Sequence, residues 1–336
     1  MNITFLIGNG FDLNLGLNTR YRQFYDYYLK QDSKNDTVRH FKENLSEHIE
    51  DWADLEIVLG DYAKNFFSNQ AYDYIELLDD IQDALADYID DQLIVFNVTD
   101  EDRKKLISDL FSPEEYLNLR EKEEFMAFKN RFNNERYNVD IISFNYTKTF
   151  EIIYDYKDTL IKLDSRAYKG SLYPQFLNSV EHIHGLTDSN MILGLNDASQ
   201  INNNELKNNQ EVVRAIVKTE ANINAGTLRD TRTQNLINNA DIICIYGMSI
   251  GATDKFWWET IINHLNNSQA RLIIFTRGKG IIERRSYRAK SNKDAMIQKL
   301  LSYKKLDGDD LKKIASRIFV CLNSKMFRLI SLAKTA

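Results

Sequence analysis

A chain of 336 residues, 43% of them hydrophobic, is long enough for one large domain with an insertion or for two, and it can build a real core. Its 43 Lys and Arg against 49 Asp and Glu give a formal net charge of −6, which excludes a generally basic nucleic-acid-binding surface and leaves only local patches open. Two cysteines cannot make a cysteine zinc ribbon, and without a secretory h-region or an apolar run of ~18 residues the expectation is a soluble, cytoplasmic protein with no membrane partner. The first element is the apolar run Ile3 to Ile7, which reads as a buried strand. It breaks into Gly8-Asn9-Gly10, and a second glycine segment, Leu15-Gly16-Leu17, follows. A strand ending in a glycine turn lets backbone N–H groups approach a pyrophosphate without a Cβ in the way; a plain tight turn is the competing use of the same residues. From about Tyr21 to Tyr137 there is almost no strand signal. Val38, Phe41, Leu45, Ile49, Trp52, Leu55, Leu59, Tyr62 and Phe66 step by three or four, which predicts one long amphipathic helix or two consecutive ones. Tyr74, Leu78, Ile81, Leu85, Tyr88 and Leu93 continue the pattern, with Asp79, Asp80, Asp83, Asp87, Asp90 and Asp91 between them as a solvated face. Ser112-Pro113-Glu114-Glu115 has the form of a capped helix start, launching a charged helix to about Arg136.

The rest of the chain alternates. Val139 to Phe144 is an apolar strand, and Ile183 and Ile192-Leu193 lie in short strand candidates. The Asn-rich stretch Asn196 to Asn209 reads as a loop or mobile lid. Ala240 to Tyr246, Arg271 to Thr276 and Arg317 to Leu322 are runs of the buried parallel type, and Cys244 and Cys321 inside them read as buried thiols. Phe256 to Leu265 and Lys293 to Tyr303 read as crossover helices. Strand 1 therefore belongs with the C-terminal strands. Residues 1–20 and 138–336 are expected to form an α/β core around a mainly parallel sheet, and residues 21–137 a large helical insertion after strand 1.

Four apolar strands end in small or polar residues: Ile7-Gly8-Asn9-Gly10, Ser143-Phe144-Asn145-Tyr146, His182-Ile183-His184-Gly185 and Tyr246-Gly247-Met248-Ser249. In a doubly wound sheet ligands bind beyond the carboxyl ends of the strands, so these four would converge on one pocket. Each residue also has a plainer use. Asn145 serves equally as a cap for a helix starting at Thr147. His182 and His184, two apart, would share a strand face, but no third ligand has metal spacing, so no metal is expected and His182 reads as structural or as a support for its neighbours. His40, His48 and His264 read as surface or packing residues. Glu56 stands level between a capping or salt-bridge role and catalysis, Ser249 can satisfy its own turn, and Tyr21, Tyr25, Tyr27 and Tyr28 can stack on a base or form core. Glu283-Arg284-Arg285-Ser286-Tyr287-Arg288-Ala289-Lys290 is a basic segment that either binds nucleic-acid phosphate or is solvated, and the second is favoured. Together with the acidic helical face it raises a homo-oligomer.

The glycine loop after strand 1, the strand ending in Asn145-Tyr146-Thr147, the His184-Gly185 pair and the strand into Gly247-x-Ser249 with Asp254 nearby resemble the sirtuin-like NAD-binding fold of bacterial antiphage proteins. Ile7-Gly8-Asn9-Gly10-Phe11-Asp12-Leu13, Trp52-x-x-Leu55-Glu56 and Phe144-Asn145-Tyr146-Thr147 before His184-Gly185 are similar, more narrowly, to the AbiH family of phage abortive-infection proteins, over about residues 1–276. The resemblance implies a sirtuin-like Rossmann-type core and a nucleotide, NAD or a relative, as substrate or ligand. It implies His184 and Asn145 as catalytic residues, and Gly8, Asn9, Gly10, Asp12, Gly247 and Ser249 as nucleotide-binding residues. Glu56, His182 and Asp254 would stand behind them. Asp12 departs from the small hydroxyl residue of sirtuins, and the zinc module that presents acyl-lysine is missing, which leaves NAD hydrolysis as the simpler chemistry. Cleavage of the nicotinamide–ribose bond builds oxocarbenium character. A neutral His can take a hydroxyl proton, an Asn can orient ribose and water without adding charge, and Asp12 or Glu56 can face the cation. An effector acting on nucleic acid and a nucleotide-gated sensor without turnover are the two other classes.

Overall fold

The computed structural model describes residues 1–47, 55–278 and 286–333; Ile49, Trp52, His48 and the Glu283-Arg284-Arg285 part of the basic segment lie outside the described residues. Seven strands form one sheet: β1 (Asn2–Ile7), β2 (Tyr137–Ser143), β3 (Ile161–Tyr168), β4 (Ser171–His182), β5 (Ile242–Tyr246), β6 (Arg271–Thr276) and β7 (Ile318–Leu322), in the order β3-β4-β2-β1-β5-β6-β7. All neighbours are parallel except β3 and β4, which form an antiparallel hairpin at one edge. The α/β class and the mainly parallel sheet thus stand as expected from the sequence. The central strands are short apolar runs buried on both faces, as parallel strands must be. The hairpin was not legible as strand: β3 alternates half-buried and exposed residues, and β4 holds Pro174 opposite Ser165. Numbered by chain order, the six parallel strands run 3-2-1-4-5-6, so the order reverses between β1 and β5. In open α/β sheets a reversal of this kind leaves a crevice beyond the carboxyl ends of the strands.

Side-chain alternation splits each strand between two cores. Ile3, Phe5 and Ile7 face a layer containing α1 (Gly10–Asn14), α6 (Asp100–Phe111), α7 (Leu119–Lys129) and α8 (Thr149–Tyr154). Leu6, Ile142, Ile243 and Ile245 face α11 (Arg229–Asn238), α12 (Lys255–Asn267), α13 (Ser286–Leu301) and α14 (Gly308–Ala315). A third core joins α2 (Tyr21–Tyr28), α3 (Asp36–Glu47), α4 (Leu55–Tyr62) and α5 (Ala71–Ile94) to residues 191–217, including α9 (Gln210–Ile216); α10 (Lys218–Asn224) follows directly. A last short helix, α15 (Ile330–Ala333), leans on α6.

Between β1 and β2 the described residues form helices and no strand. Their packing divides the stretch, however: α2 to α5 build the third core, whereas α6 and α7 cover the sheet. The Asn-rich stretch is anchored rather than free. Asn203 Nδ2 donates to the carbonyls of Ala63 and Phe66 at 3.1 and 2.9 Å, and Ile201 and Leu206 are buried in the third core. Two local expectations fail. Pro113–Tyr116 is a separate 3₁₀ turn in which Ser112 makes no side-chain cap and Glu114 turns inward to Lys129 Nζ; the charged helix starts later, where Asn118 Oδ1 accepts from Glu121 N. Of the six α5 aspartates read as a solvated face, Asp80 is buried and accepts from Tyr28 Oη at 2.7 Å, while the other five are exposed. Tyr25 and Tyr28 are core, as is His264, whose Nε2 meets the Ala240 carbonyl at 2.8 Å. No described helix is long and apolar enough to cross a membrane.

Candidate functional site

The β1 and β5 ends meet directly. Gly10 N donates to the Gly247 carbonyl at 2.8 Å and Gly8 N to that of Tyr246 at 2.9 Å, while Phe11 N returns to Gly8 O at 2.9 Å. A Cβ on Gly10 would lie 2.5 Å from Gly247 Cα, and one on Gly8 would lie 2.5 Å from Met248 Cγ. Gly247 adopts φ +71°, which a side chain disfavours, and its own Cβ would meet Phe11 N at 2.7 Å. Close contact between two loops therefore accounts for all three glycines, and the N–H groups of Gly8, Gly10 and Phe11 are already engaged. Asn9 and Ser249 stand on the wall of an open cleft of about 620 Å³ that runs past Gly10, Gly247, Thr276, Arg277, Asn323 and Ser324, and the Asn9 amide is itself engaged, Nδ2 donating to the Thr19 carbonyl at 2.6 Å and Oδ1 accepting from Thr19 Oγ1.

Asn9 also lines a second, smaller cavity of about 110 Å³ at the ends of β1 and β2, with Asp12, Thr19, Tyr21, Leu85, Ile89, Phe144, Asn145, Tyr146 and Thr147. Asn145 does not cap a helix. Its Nδ2 donates to the Gly8 carbonyl at 3.2 Å, tying β2 to the glycine turn, and α8 begins two residues later than expected, at Thr149. The hydroxyls that could have capped that helix are spent on Asp12: Thr147 Oγ1 donates to Oδ2 at 2.8 Å and Thr149 Oγ1 to Oδ1 at 3.3 Å. Burial pushes the Asp12 carboxyl up to about 7, against the opposing hydrogen bonds of Thr147, Thr149 and Asn145. A carboxyl with that pKa can exchange a proton near neutrality. His182 supports this side from behind, Nδ1 on the Asn145 carbonyl at 3.2 Å and Nε2 on Glu151 Oε1 at 2.8 Å.

His184 lies outside that cavity but against two of its rings, edge-on to Phe144 with centroids 5.4 Å apart and tilted against Tyr146 at 6.3 Å. It lines a cavity of only about 20 Å³ with Asn196, Lys218, Asn222, Asp230, Thr253 and Asp254. His184 Nε2 is 3.8 Å from Asp254 Oδ1; Lys218 Nζ is 3.4 Å from that oxygen and 2.9 Å from Glu56 Oε2. These groups come from four separate segments and are buried or nearly so. Burial opposes the Lys218 charge, yet Asp254 and Glu56 outweigh it and hold its pKa above the ordinary value. Burial, then the charges of Lys218 and Arg229, keep the His184 imidazole well below its ordinary value, hence neutral.

The structure therefore brings Asn9, Asp12 and Asn145 to one cavity, and Asn9, Gly10, Gly247 and Ser249 to the adjoining cleft. Gly8 sits beneath both, and Glu56, His184 and Asp254 gather in a third place. It does not bring His184 into the cavity that Asn145 lines. Sequence reading missed Lys218 and the Thr147–Thr149 pair. For Lys218 the one available signal was a lysine closing the apolar run Ala215-Ile216-Val217. No group of three or more His, Cys, Asp or Glu suited to a metal ion occurs among the described residues. A family model described as "Bacteriophage abortive infection AbiH" matches residues 4–276. No curated protein matches the chain.

Proposed function

The chain belongs to the AbiH family of bacteriophage abortive-infection proteins, and from that premise we propose that it acts in phage defence by binding NAD or a related nucleotide and hydrolysing its nicotinamide–ribose bond. The observation that carries this reading is the pair of adjoining spaces at the strand-order reversal, about 620 and 110 Å³, joined at Asn9. A doubly wound sheet offers a dinucleotide this crevice, and the sirtuin-like assignment of the core belongs to the same proposal. The adenosine half lies in the open cleft. The nicotinamide ring enters the smaller cavity, between Phe144, Tyr146, Leu85 and Ile89.

There the C1′–N1 bond breaks, its electron pair goes to the pyridinium nitrogen, and neutral nicotinamide leaves. Water adds to C1′ and gives up a proton. Asn145 orients ribose and water without adding charge, and ionised Asp12 faces the cation and takes the proton. His184, held neutral, takes a ribose hydroxyl proton as the cation forms and returns it once water has added to C1′.

One observation favours a second reading, a nucleotide-gated sensor. His184 and Asn145 do not share a cavity, and the space beside the imidazole is only about 20 Å³. Calorimetric titration of the purified protein with NAD, followed by incubation and detection of nicotinamide, separates the two. Binding with nicotinamide release supports hydrolysis, binding without release supports the sensor, and no binding removes both.

A further inference from the structure

We infer that the open cleft takes a nucleotide whose adenosine ribose carries an extra phosphate, as in NADP, in preference to the unphosphorylated one. This rests on the nucleotide reading and specifies its ligand. The cleft is lined by Asn9, Asn14, Ser249, Thr276, Asn323 and Ser324 as neutral hydrogen-bonding side chains, by Arg277 as the single cation, and by no carboxylate among the described residues. Arg277 follows β6 directly, is exposed, and has no carboxylate partner among the described residues. Nucleotide sites use an acid to hold a free ribose 2′-hydroxyl, and an arginine to accept a 2′-phosphate. This cleft has the second chemistry and lacks the first.

Asn323 lines the same cleft, where its Oδ1 accepts from Gly278 N at 3.0 Å and fixes the turn that carries Arg277.

The test is calorimetric titration of the full chain with NADP, NAD, adenosine 2′,5′-bisphosphate and AMP, repeated on Arg277→Ala. Because Arg277 is exposed, the variant keeps the fold, and its melting temperature checks this. NADP is expected to bind at least about tenfold tighter than NAD, the worth of one charge-assisted phosphate contact, with the same ordering for the bisphosphate over AMP. Arg277→Ala should erase the difference. Equal affinity for NAD and NADP overturns this inference and leaves the nucleotide reading intact. Failure of every nucleotide to bind overturns the nucleotide reading and this inference with it. A loss on Arg277→Ala seen only with a single-stranded RNA oligonucleotide overturns it in favour of a nucleic-acid partner.

Discussion

The Asp12 cavity and the Lys218 cluster present the same chemical group in opposite conditions. On one side the Asp12 carboxyl is buried with two threonine hydroxyls and, among the described residues, no cation within hydrogen-bond reach, and burial pushes its pKa up to about 7. On the other, the Asp254 and Glu56 carboxylates are buried around the Lys218 ammonium. Burial alone makes a carboxyl hold its proton; burial with a cation makes an ion pair that ties segments together. The first arrangement can exchange protons with a ligand. The second joins α4 of the third core to α10 and to the loop before α12, beside an imidazole that burial, then the charges of Lys218 and Arg229, keep neutral.

The comparison breaks most visibly at Lys218. Lys218→Met leaves two buried carboxylates without their cation and should cost about 3–5 kcal/mol in denaturant unfolding at pH 7. Adding Glu56→Gln and Asp254→Asn should recover most of that loss. A Lys218→Met protein as stable as the parent would show that the cluster is not the tie described. Asp12 should respond in the opposite sense. Its folded pKa of about 7 stands above the ordinary 3.8, so its contribution is fully present below pH ~4 and lost as pH rises through ~7. The loss amounts to about 4 kcal/mol. Asp12→Asn should flatten the fall in stability between those limits, measured by unfolding at pH 4, 5.5, 7 and 8. An unchanged pH slope would contradict the assignment. A smaller effect is expected beneath both sites. Gly10→Ala forces a methyl to 2.5 Å from Gly247 Cα, and should lower stability by about 1–3 kcal/mol. A silent Gly10→Ala would mean that the loops are looser than their hydrogen bonds imply.

The same contrast marks what the sequence could disclose. Strands buried on both faces, such as Arg271 to Thr276, announce themselves as apolar runs, and β1, β2, β5, β6 and β7 all end in residues that line or underlie the cavities. The polar edge hairpin carries no such run, and Pro174 argues against strand there. Asn145 was legible as a residue of interest but not in its use, because the choice between capping α8 and holding Gly8 turns on where Thr147 and Thr149 send their hydroxyls, to an Asp 135 and 137 residues away. Lys218 pairs with Glu56 across 162 residues, a distance that periodicity cannot span. The helical stretch between β1 and β2 read correctly as helix, whereas its division between two cores depends on contacts with residues 191–217.

Nicotinamide release from NAD by the parent, Asn145→Ala and His184→Ala proteins, at matched concentration and with melting temperatures recorded, tests the hydrolytic account most directly. The account predicts release by the parent and a loss of about 10²–10⁴ in rate for each variant with its fold retained. A parent that binds NAD without releasing nicotinamide, or a His184→Ala protein that releases it at the parent rate, would contradict it.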